Sequence, residues 1–439
     1  MLNKVKEYIA KHHLLSLNKH YIVALSGGAD SVCLLLVMHR LGYHIEAAHC
    51  NFHLRQDESN RDEAFVINLC KQLNIELHLI HFDTETYAKT NKISIEMAAR
   101  ELRYNYFEQL RRDICFDGIC VAHHQDDSVE TILLNLIRGT GVHGLTGIKP
   151  RNGNILRPLL CVSKSDITKW LNEQHQDYVT DSTNLQTDAV RNKIRLKIMP
   201  LLREINPSVE NSIMNTAQHL EEVASLYDNT VGHTLDKLIS DNSLDIQALL
   251  QEPAAKSIVF EWLKPYHFSS AIIEQIFDSI SSLQAGKEWH SDSHQLAVHQ
   301  NRLVLEKKQA PLPTFRIPEQ GNYIYDNDHK IKIELYKGKC IYKNIETACL
   351  DKSKIIFPLV IRPIQAGDRF QPFGMKGTKL VSDYLTDCHL SIFEKRRSLV
   401  LCDANGQILW LVNHRPDARF CVNDITQETL VFSFFNTKK

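Results

Sequence analysis

Short apolar runs alternate with segments of helical periodicity over the first 175 residues. The apolar runs predict β-strands at residues 21–25, 44–50, 75–82, 118–122 and 155–159. The intervening segments predict helices at residues 31–41, 57–73, 94–112, 126–138 and 163–174. Regular alternation of strand and helix is typical of an α/β fold with a parallel, doubly wound sheet. Ligands bind such sheets at the carboxyl ends of the strands, so functional residues are expected there.

The rest of the chain shows two other patterns. Helical periodicity predominates between residues 209 and 280, whereas apolar runs typical of strands predominate after residue 354. Breaks at Asn206-Pro207 and around Phe357-Pro358 separate these regions. The sequence therefore predicts a Rossmann-like α/β domain at 1–205, a mainly helical middle domain at 206–350, and a small mixed or mainly β domain at 351–439.

The composition is that of a globular protein. Of 439 residues, 43% are hydrophobic and 23% are charged, which excludes disorder, collagen and coiled coil as the dominant class. No run of about 18 apolar residues is present, so no membrane span is predicted. The first 20 residues scatter lysine and histidine among apolar positions and lack the apolar core of a signal peptide. A cytoplasmic protein is therefore expected.

Cysteine usage and charge narrow the class further. None of the 11 cysteines stands in a C-x-x-C pair, which argues against both a disulfide framework and a zinc ribbon. The net charge is +2 over residues 1–203, −7 over residues 204–350 and +4 over residues 351–439. A nucleic-acid partner would thus bind the two basic regions, residues 1–203 and 351–439. Chance variation in charge among solvated faces explains the same distribution.

The sharpest chemical signal follows the first predicted strand. It is a hexapeptide made of Ser26, Gly27, Gly28, Ala29, Asp30 and Ser31. Adjacent glycines let the backbone approach a bound group, the hydroxyls can donate to phosphate oxygens, and the next helix presents its N-terminal amides. Asp30 would repel phosphate, so it suits a bound cation or a chemical role. The alternative is a glycine turn with a capping residue. Neither a Walker loop nor a G-x-G-x-x-G fingerprint is present.

Other charged residues fall after the later strands. Asp127 and Glu130 are three residues apart on a predicted helix, so both carboxylates can face one site. Such a pair suits Mg²⁺ binding or proton removal from an amine, although Asp127 could merely cap the helix. Residues 189–203 contain five basic residues and no acidic residue, which suits contact with phosphate or RNA. A solvated helix face explains that stretch equally well.

The hexapeptide resembles the SGGxDS loop of the PP-loop ATP pyrophosphatases. Further motifs, in matching order, are similar to the tRNA(Ile)-lysidine synthetase family. They are the ExxARxxRY helix at 96–104, AHHQDDSVET at 122–131, RGTG at 138–141, GLTG at 144–147, RPL at 157–159, DSTN at 181–184, RNKIR at 191–195, and short matches at 362–363, 367–369 and 383–385. Phe52, His53 and Ser128 depart from the residues more usual in that family, which affects the expected substrate contacts rather than the expected activity.

The resemblance implies an ATP-dependent ligase that acts on tRNA. In that family, ATP adenylates the C2 oxygen of the wobble cytidine in the isoleucine tRNA with a CAU anticodon. The ε-amine of free L-lysine then attacks C2, AMP leaves, and lysidine is formed. The modified tRNA decodes AUA and is charged with isoleucine. The implied cofactor is Mg²⁺, and members of the family often form homodimers.

The resemblance also implies roles for individual residues. The hexapeptide from Ser26 to Ser31 would hold the departing pyrophosphate, and Asp30 or Asp127 would lie near Mg²⁺. The carboxylates of Asp30, Asp127 and Glu130 would surround the lysine ammonium, while Arg103 and Arg195 would contact the adenylated base or its phosphates. Further substrate or tRNA contacts are expected at His53, Arg55, Glu96, Arg100, His123, Arg191, Asn192 and Arg369.

Several alternatives stay open at this point. A PP-loop tRNA thiolation enzyme of the type with paired C-x-x-C motifs is disfavoured because the chain has none. A glutamine-using synthetase is disfavoured because none of the first 32 residues is cysteine. A non-catalytic, nucleotide-dependent RNA-binding protein is disfavoured by the intact loop and carboxylates. The sequence does not decide which carboxylate is the base, how tRNA(Ile) is told from the methionine tRNAs, or what the middle domain does.

Overall fold

The computed structural model describes residues 1–54, 57–180, 190–281 and 287–437. The chain divides into two compact units, Met1–Asp228 and Asn229–Lys439. Within the described ranges, none of the helices combines the length and the apolar character needed to cross a membrane.

The first unit alternates strands and helices, as the sequence predicts. Its strands are β1 (His20–Ala24), β2 (His44–Asn51), β3 (Leu77–His81), β4 (Gly118–Cys120), β5 (Arg151–Asn152) and β6 (Ile155–Leu156). Its helices are α1 (Leu2–Lys11), α2 (Ala29–Arg40), α3 (Asp57–Leu73), α4 (Thr84–Asn91), α5 (Ile95–Asp113), α6 (Gln125–Ile137), α7 (Val142–Leu145), α8 (Lys164–Glu173), α9 (Val190–Lys193), α10 (Met199–Ile205) and α11 (Val209–Leu238), the last of which continues past residue 228. A π-helical turn at Ile194–Ile198 joins α9 to α10.

These strands form one sheet in the order β3-β2-β1-β4-β6-β5. All neighbours are parallel except β5, which runs antiparallel to β6. The predicted parallel, doubly wound sheet is therefore confirmed. The chain proceeds from β1 toward β3 on one side and then resumes at β4 on the other side of β1. The carboxyl ends of β1 and β4 thus border the crevice in which doubly wound sheets bind ligands.

Both faces of this sheet are covered. Side chains alternate along a strand, so Val23 and Ile22 of β1 point to opposite faces. Val23 joins a core with α2, whose residues from Ala29 to Met38 include nine that are buried. Ile22 joins a second core that contains Phe107 of α5. The near-complete burial of α2 fixes the position of its first turn, which contains the last three residues of the hexapeptide.

The second unit is richer in strands. The strands are β7 (Ile239–Ser240), β8 (Ser243–Asp245), β9 (Glu288–His290), β10 (His294–His299), β11 (Arg302–Lys307), β12 (Phe315–Ile317), β13 (Gly321–Ile324), β14 (His329–Lys337), β15 (Thr347–Asp351), β16 (Leu359–Pro363), β17 (Arg369–Phe370), β18 (Lys379–Leu380), β19 (Leu399–Cys402), β20 (Ile408–Leu411) and β21 (Glu428–Asn436). The helices, apart from short 3₁₀ turns at Lys264–Tyr266 and Lys352–Lys354, are α12 (Ile246–Leu250), α13 (Ala255–Leu263), α14 (Ser270–Ser281), α15 (Val381–Asp387) and α16 (Ile392–Arg397).

The predicted helices of the middle region are present, together with a five-stranded sheet in the order β7-β8-β11-β10-β9 that the sequence analysis missed. Within the region of helical periodicity at 209–280, Leu244 lies in β8, and α12 begins at Ile246. Strands as short as β7 and β8 have too few residues to show an alternating pattern. Helices α13 and α14 share a core with this sheet through Val259, Ile276 and Leu296.

The remaining strands build mainly two antiparallel sheets, ordered β12-β16-β19-β20 and β13-β14-β21-β15. Strand β21 lies between β14 and β15 and pairs with both along its length. The domain boundaries at residues 205 and 350 stay a prediction. Because β14 precedes residue 350 and β21 follows it, a cut at that boundary would divide a continuous sheet.

Candidate active site

The hexapeptide after β1 is held open by its own hydrogen bonds. The Ser31 hydroxyl donates to the Gly28 carbonyl (2.9 Å) and accepts from the Ser26 backbone N–H (3.1 Å). The Val179 N–H donates to the Gly27 carbonyl (2.9 Å), which attaches the loop to a neighbouring segment. Helix α2 then starts with Gly28 in an extended conformation at its N-cap. The loop therefore places two hydroxyls and the first turn of a helix around one point, which suits a phosphate group.

Gly27 adopts φ +89°, a conformation that L side chains rarely take. We predict that Gly27→Ala destabilises the fold by about 1–2 kcal/mol, the cost of left-handed backbone, and also weakens ATP binding. Gly42→Ala is the matched control, because Gly42 has φ +77° in the turn after α2 with open space around it. Both variants should lower the melting temperature in thermal denaturation. Only Gly27→Ala should weaken ATP affinity in calorimetry, and equal ATP affinities would contradict the assignment of the loop.

Helix α6 begins at the carboxyl end of β4 and carries the paired carboxylates. The His124 backbone N–H donates to Asp127 Oδ2 (3.0 Å), which caps the helix with the same carboxylate that faces the site. The Gln125 N–H donates to the Val162 carbonyl (2.9 Å) and fixes the start of the helix. Capping and access to the site are thus compatible roles for Asp127.

Glu130 lies one turn farther along α6 and is 2% exposed. Arg195, on the π-helical turn, holds it through two hydrogen bonds, Nε to Oε1 (2.6 Å) and Nη2 to Oε2 (3.0 Å). Burial raises the pKa of the Glu130 carboxyl above its ordinary value, and the Arg195 guanidinium opposes that rise. The same contact raises the pKa of Arg195 against the opposing effect of its own burial. Arg195 also lies 3.8 Å from Asp127 Oδ1.

Asp30 reaches the same place from the first turn of α2. Its Oδ1 accepts a hydrogen bond from Lys164 Nζ at 2.6 Å. Its Oδ2 lies 3.7 Å from His124 Nε2, and the same nitrogen lies 3.6 Å from Asp127 Oδ2. The buried His124 ring therefore stands between the two aspartates. Carboxylates from the first turns of two different helices, α2 and α6, converge on this one imidazole.

These groups surround a cavity of about 570 Å³. Its lining includes Asp30, His124, Asp126, Asp127, Glu130, Lys164, Arg195, Arg203 and Glu210. Among the residues predicted from the sequence, Asp30, Asp127, Glu130 and Arg195 are thus brought together. Carboxylates, a guanidinium and an ammonium in one cleft can bind a cationic substrate beside an anionic one.

A second cavity, of about 220 Å³, borders the hexapeptide and the carboxyl end of β2. Its lining includes Ser26, Gly28, Asn51, Phe52 and Arg103. The Arg103 guanidinium lies over the Phe52 ring, 5.3 Å from its centroid. Stacking of a cation on an aromatic face holds the guanidinium in place and leaves its edge free for hydrogen bonding. Arg103 is therefore near the loop but lines a different cavity from Arg195.

Other predicted residues lie around this region. His53 has φ +51° and its ring contacts that of His81, with 2.9 Å between Nε2 and Nδ1. Arg157 Nε donates to His123 Nδ1 (3.0 Å), and burial lowers the pKa of His123 to about 4. His123 is thus a neutral acceptor near pH 7.

The remaining predicted residues are more dispersed. Glu96 and Arg100 are exposed on α5, with the Arg100 guanidinium over the Tyr104 ring (5.2 Å). Arg191 donates to Thr131 Oγ1 (3.1 Å) on α6, and Asn192 is half-buried on α9. Arg369 is exposed on β17 in the second unit. Arg55 and the motif at 181–184 lie outside the described residues.

Sequence reasoning missed Lys164 and His124 as members of this constellation. Lys164 is the first residue of α8 and lies 134 positions from Asp30 along the chain. No local motif marks it, because only the order of strands in the sheet brings α8 beside α2. His124 lies in the AHHQDDSVET motif at 122–131. Its position at the N-cap of α6 is the signal that could have shown that it faces the strand ends.

Comparison with known proteins agrees with the fold and the loop. The family model described as the PP-loop domain matches residues 1–202. The model described as the TilS substrate binding domain matches residues 240–308, and the TilS substrate C-terminal domain matches residues 359–431. The first unit therefore defines the chain as a member of the PP-loop class, whose members use ATP.

Relatives that match along the whole chain identify the family within this class. The chain is 47% identical to a tRNA(Ile)-lysidine synthase of Bacteroides thetaiotaomicron, over 98% of each chain. It is 44% identical to one of Parabacteroides distasonis, over 99% of this chain and 100% of that one. It is 38% identical to one of Porphyromonas gingivalis, over 99% of each. The chain belongs to the tRNA(Ile)-lysidine synthase family.

Proposed function

We propose that this protein ligates free L-lysine to C2 of the wobble cytidine in tRNA(Ile) with a CAU anticodon. ATP is consumed, AMP and pyrophosphate are released, and lysidine is formed through an adenylated cytidine. The observation that best supports this proposal is the cleft in which Asp30, Asp127 and Glu130 meet beside the phosphate-binding loop. Family membership, with relatives that match along the whole chain, agrees with it.

In the first step the loop holds the triphosphate of ATP. The hydroxyls of Ser26 and Ser31 and the amides at the start of α2 would receive the phosphate oxygens. Asp30 and Asp127 fit Mg²⁺, because each offers hard oxygen ligands to one cavity and Mg²⁺ binds through one or two carboxylates plus phosphates. When bound there, Mg²⁺ would offset charge between the phosphate groups. Arg103 and Arg195 would position the base or its phosphate.

In the second step lysine must lose a proton before its amine can attack. The ordinary pKa of a lysine ammonium is about 10.4, so most molecules are protonated at neutral pH. The carboxylates of Asp127, Glu130 and Asp30 would bind this ammonium and bring it beside the adenylated C2. Proton acceptance by a positioned carboxylate is general-base catalysis. The ε-nitrogen then bonds to C2, and the C2–O bond breaks with its electrons leaving on AMP.

The remaining parts of the proposal concern partners. The second unit, with exposed Arg369 and a net charge of +4 over residues 351–439, would bind the tRNA away from the anticodon. Exposed Arg100 and Arg191 would contact tRNA near the cleft, as would His53. We place the protein in the cytoplasm, where tRNA, ATP and lysine occur together, and we propose that it forms a homodimer.

One assay tests the proposed function. The protein is incubated with ATP·Mg²⁺, lysine and unmodified CAU-anticodon tRNA(Ile), and pyrophosphate release is followed while digested nucleosides are weighed by mass spectrometry. We expect one lysine–cytidine adduct for each pyrophosphate. A methionine tRNA with the same anticodon is the matched substrate control and should yield no adduct. Pyrophosphate release without an adduct would contradict lysine as the nucleophile.

A further inference from the structure

Lys164 is a charged group of the active-site cleft to which the proposed reaction assigns no role. It begins α8, and its backbone N–H donates to Asp126 Oδ1 (3.3 Å). This contact connects the start of α8 to the start of α6, so the lysine stem emerges at the rim of the cleft. Its Nζ then reaches Asp30 Oδ1 at 2.6 Å, while the side chain remains 43% exposed.

The charge of the cleft explains why such a lysine is needed. Five carboxylates line the cleft: Asp30, Asp126, Asp127, Glu130 and Glu210. In that lining, Arg195 is committed to Glu130 by two hydrogen bonds, and Arg203 is held by Glu210 (2.6 Å). Of the lysine and arginine side chains in this lining, Lys164 is therefore the one that hydrogen-bonds to a residue of the phosphate-binding loop. A polyphosphate on that loop is more strongly charged than the single carboxylate of Asp30.

We propose that Lys164 is a pyrophosphate-binding residue, which exchanges Asp30 for the β- and γ-phosphates when ATP occupies the loop. This inference rests on the proposed function and adds a group to its first step. Once Lys164 has left Asp30, this carboxylate becomes available as an oxygen ligand for Mg²⁺ or as a contact for the lysine substrate. A flexible, partly exposed ammonium can make this exchange because four rotatable bonds connect it to the backbone.

The role is electrostatic and involves no proton transfer from Lys164. In adenylation, the cytosine C2 oxygen bonds to the α-phosphorus. The bond between that phosphorus and the α–β bridging oxygen breaks, and its electron pair leaves on pyrophosphate. The leaving group gains negative charge as this bond breaks, and an ammonium beside it stabilises that charge.

Binding of inorganic pyrophosphate provides the test. The full chain is titrated with pyrophosphate and Mg²⁺ in a calorimeter, without tRNA or lysine. Lys164→Met should weaken pyrophosphate binding by about ten- to a hundredfold, the range for one charge-assisted hydrogen bond. Lys164→Arg should retain most of the affinity. Lys169→Met, on the exposed face of the same helix, is the matched control and should bind as the wild type does.

Steady-state kinetics add a second readout. Lys164→Met should raise the KM for ATP, whereas the KM for lysine should stay near the wild-type value. A rise in the lysine KM alone would overturn the proposal, as would unchanged pyrophosphate affinity or a wild-type protein that does not bind pyrophosphate. Pyrophosphate titration needs no lysine transfer, so failure of the proposed ligation would be seen separately. Thermal denaturation of each variant shows whether it is folded.

Discussion

Asp127→Asn is expected to lower the rate of lysidine formation by about 10²- to 10⁴-fold, the usual contribution of a positioned general base. The amide cannot accept a proton from the lysine ammonium, and it removes the negative charge that attracts this substrate. It can still accept the hydrogen bond from the His124 N–H, so the start of α6 should be preserved. The rate is measured by mass spectrometry of nucleosides in single-turnover reactions.

Asp166→Asn is the matched control for this substitution. Asp166 caps α8 in the same manner, accepting from the Ser163 N–H at 3.1 Å, but it lies outside the lining of the cleft. Loss of one capping carboxylate should therefore leave lysine transfer unchanged. Glu130→Gln is the companion variant, because the sequence leaves open which carboxylate is the base. Normal transfer by both Asp127→Asn and Glu130→Gln would show that neither carboxylate serves as the base.

Arg195→Met should produce the second large effect, a loss of activity together with an altered pH dependence. Burial already raises the pKa of Glu130, and Arg195 is the group that opposes this rise most strongly. Without the guanidinium that pKa should rise further, so the carboxylate is ionised only at higher pH. The acid limb of the pH–rate profile should accordingly move toward higher pH.

Arg195→Met should also lower the free energy of unfolding and change its dependence on pH. Breaking a fully buried ion pair costs about 3–5 kcal/mol, and the cost here should be smaller because Arg195 is partly exposed and Glu130 can take up a proton. In Arg195→Met, Glu130 binds its proton more tightly in the folded chain than in the unfolded chain. The contribution of Glu130 to the free energy of unfolding should then be fully present at low pH and be lost as pH rises through the raised folded-state pKa.

Arg111→Met provides the control for Arg195→Met. Arg111 also makes two hydrogen bonds to a glutamate, with Nε to Glu108 Oε2 at 3.0 Å and Nη2 to Oε1 at 2.8 Å, but it lies on α5 away from the cleft. These contacts hold the pKa of Glu108 at about 2, far below the pH range of the assay. The control should keep the wild-type pH–rate profile. An unshifted profile in Arg195→Met as well would contradict the link between Arg195 and the ionisation of Glu130.

The sequence predicts most of the first unit because the strands and helices that build its central sheet and main layers carry their own signals, although α1, α4 and β5 were not predicted. The helix predicted at 57–73 has those limits in the structure, and the strand predicted at 44–50 ends one residue later. Asp127 and Glu130 face one cleft, as their spacing on a helix requires. Their chemical roles stay predictions that the variants above would test.

What the sequence does not reveal depends on contacts between distant segments. Lys164 meets Asp30 only because the sheet places α8 beside α2. The family resemblance implies a role for Arg195, but its two hydrogen bonds to Glu130 depend on the π-helical turn, which no local pattern indicates. In the second unit, strands of two or three residues are stabilised by their neighbours rather than by their own sequence, so β7 and β8 escaped prediction.

The position of β21 between β14 and β15 has a consequence for synthesis on the ribosome. About 90 residues separate the end of β14 from the start of β21. At about 5–20 residues per second, both edges that β21 will fill stay unpaired for several seconds or more after β14 emerges. Open strand edges can pair with other chains during that interval. A ribosome that stalls before residue 428 would therefore release a fragment prone to aggregate, even though its α/β unit is already complete.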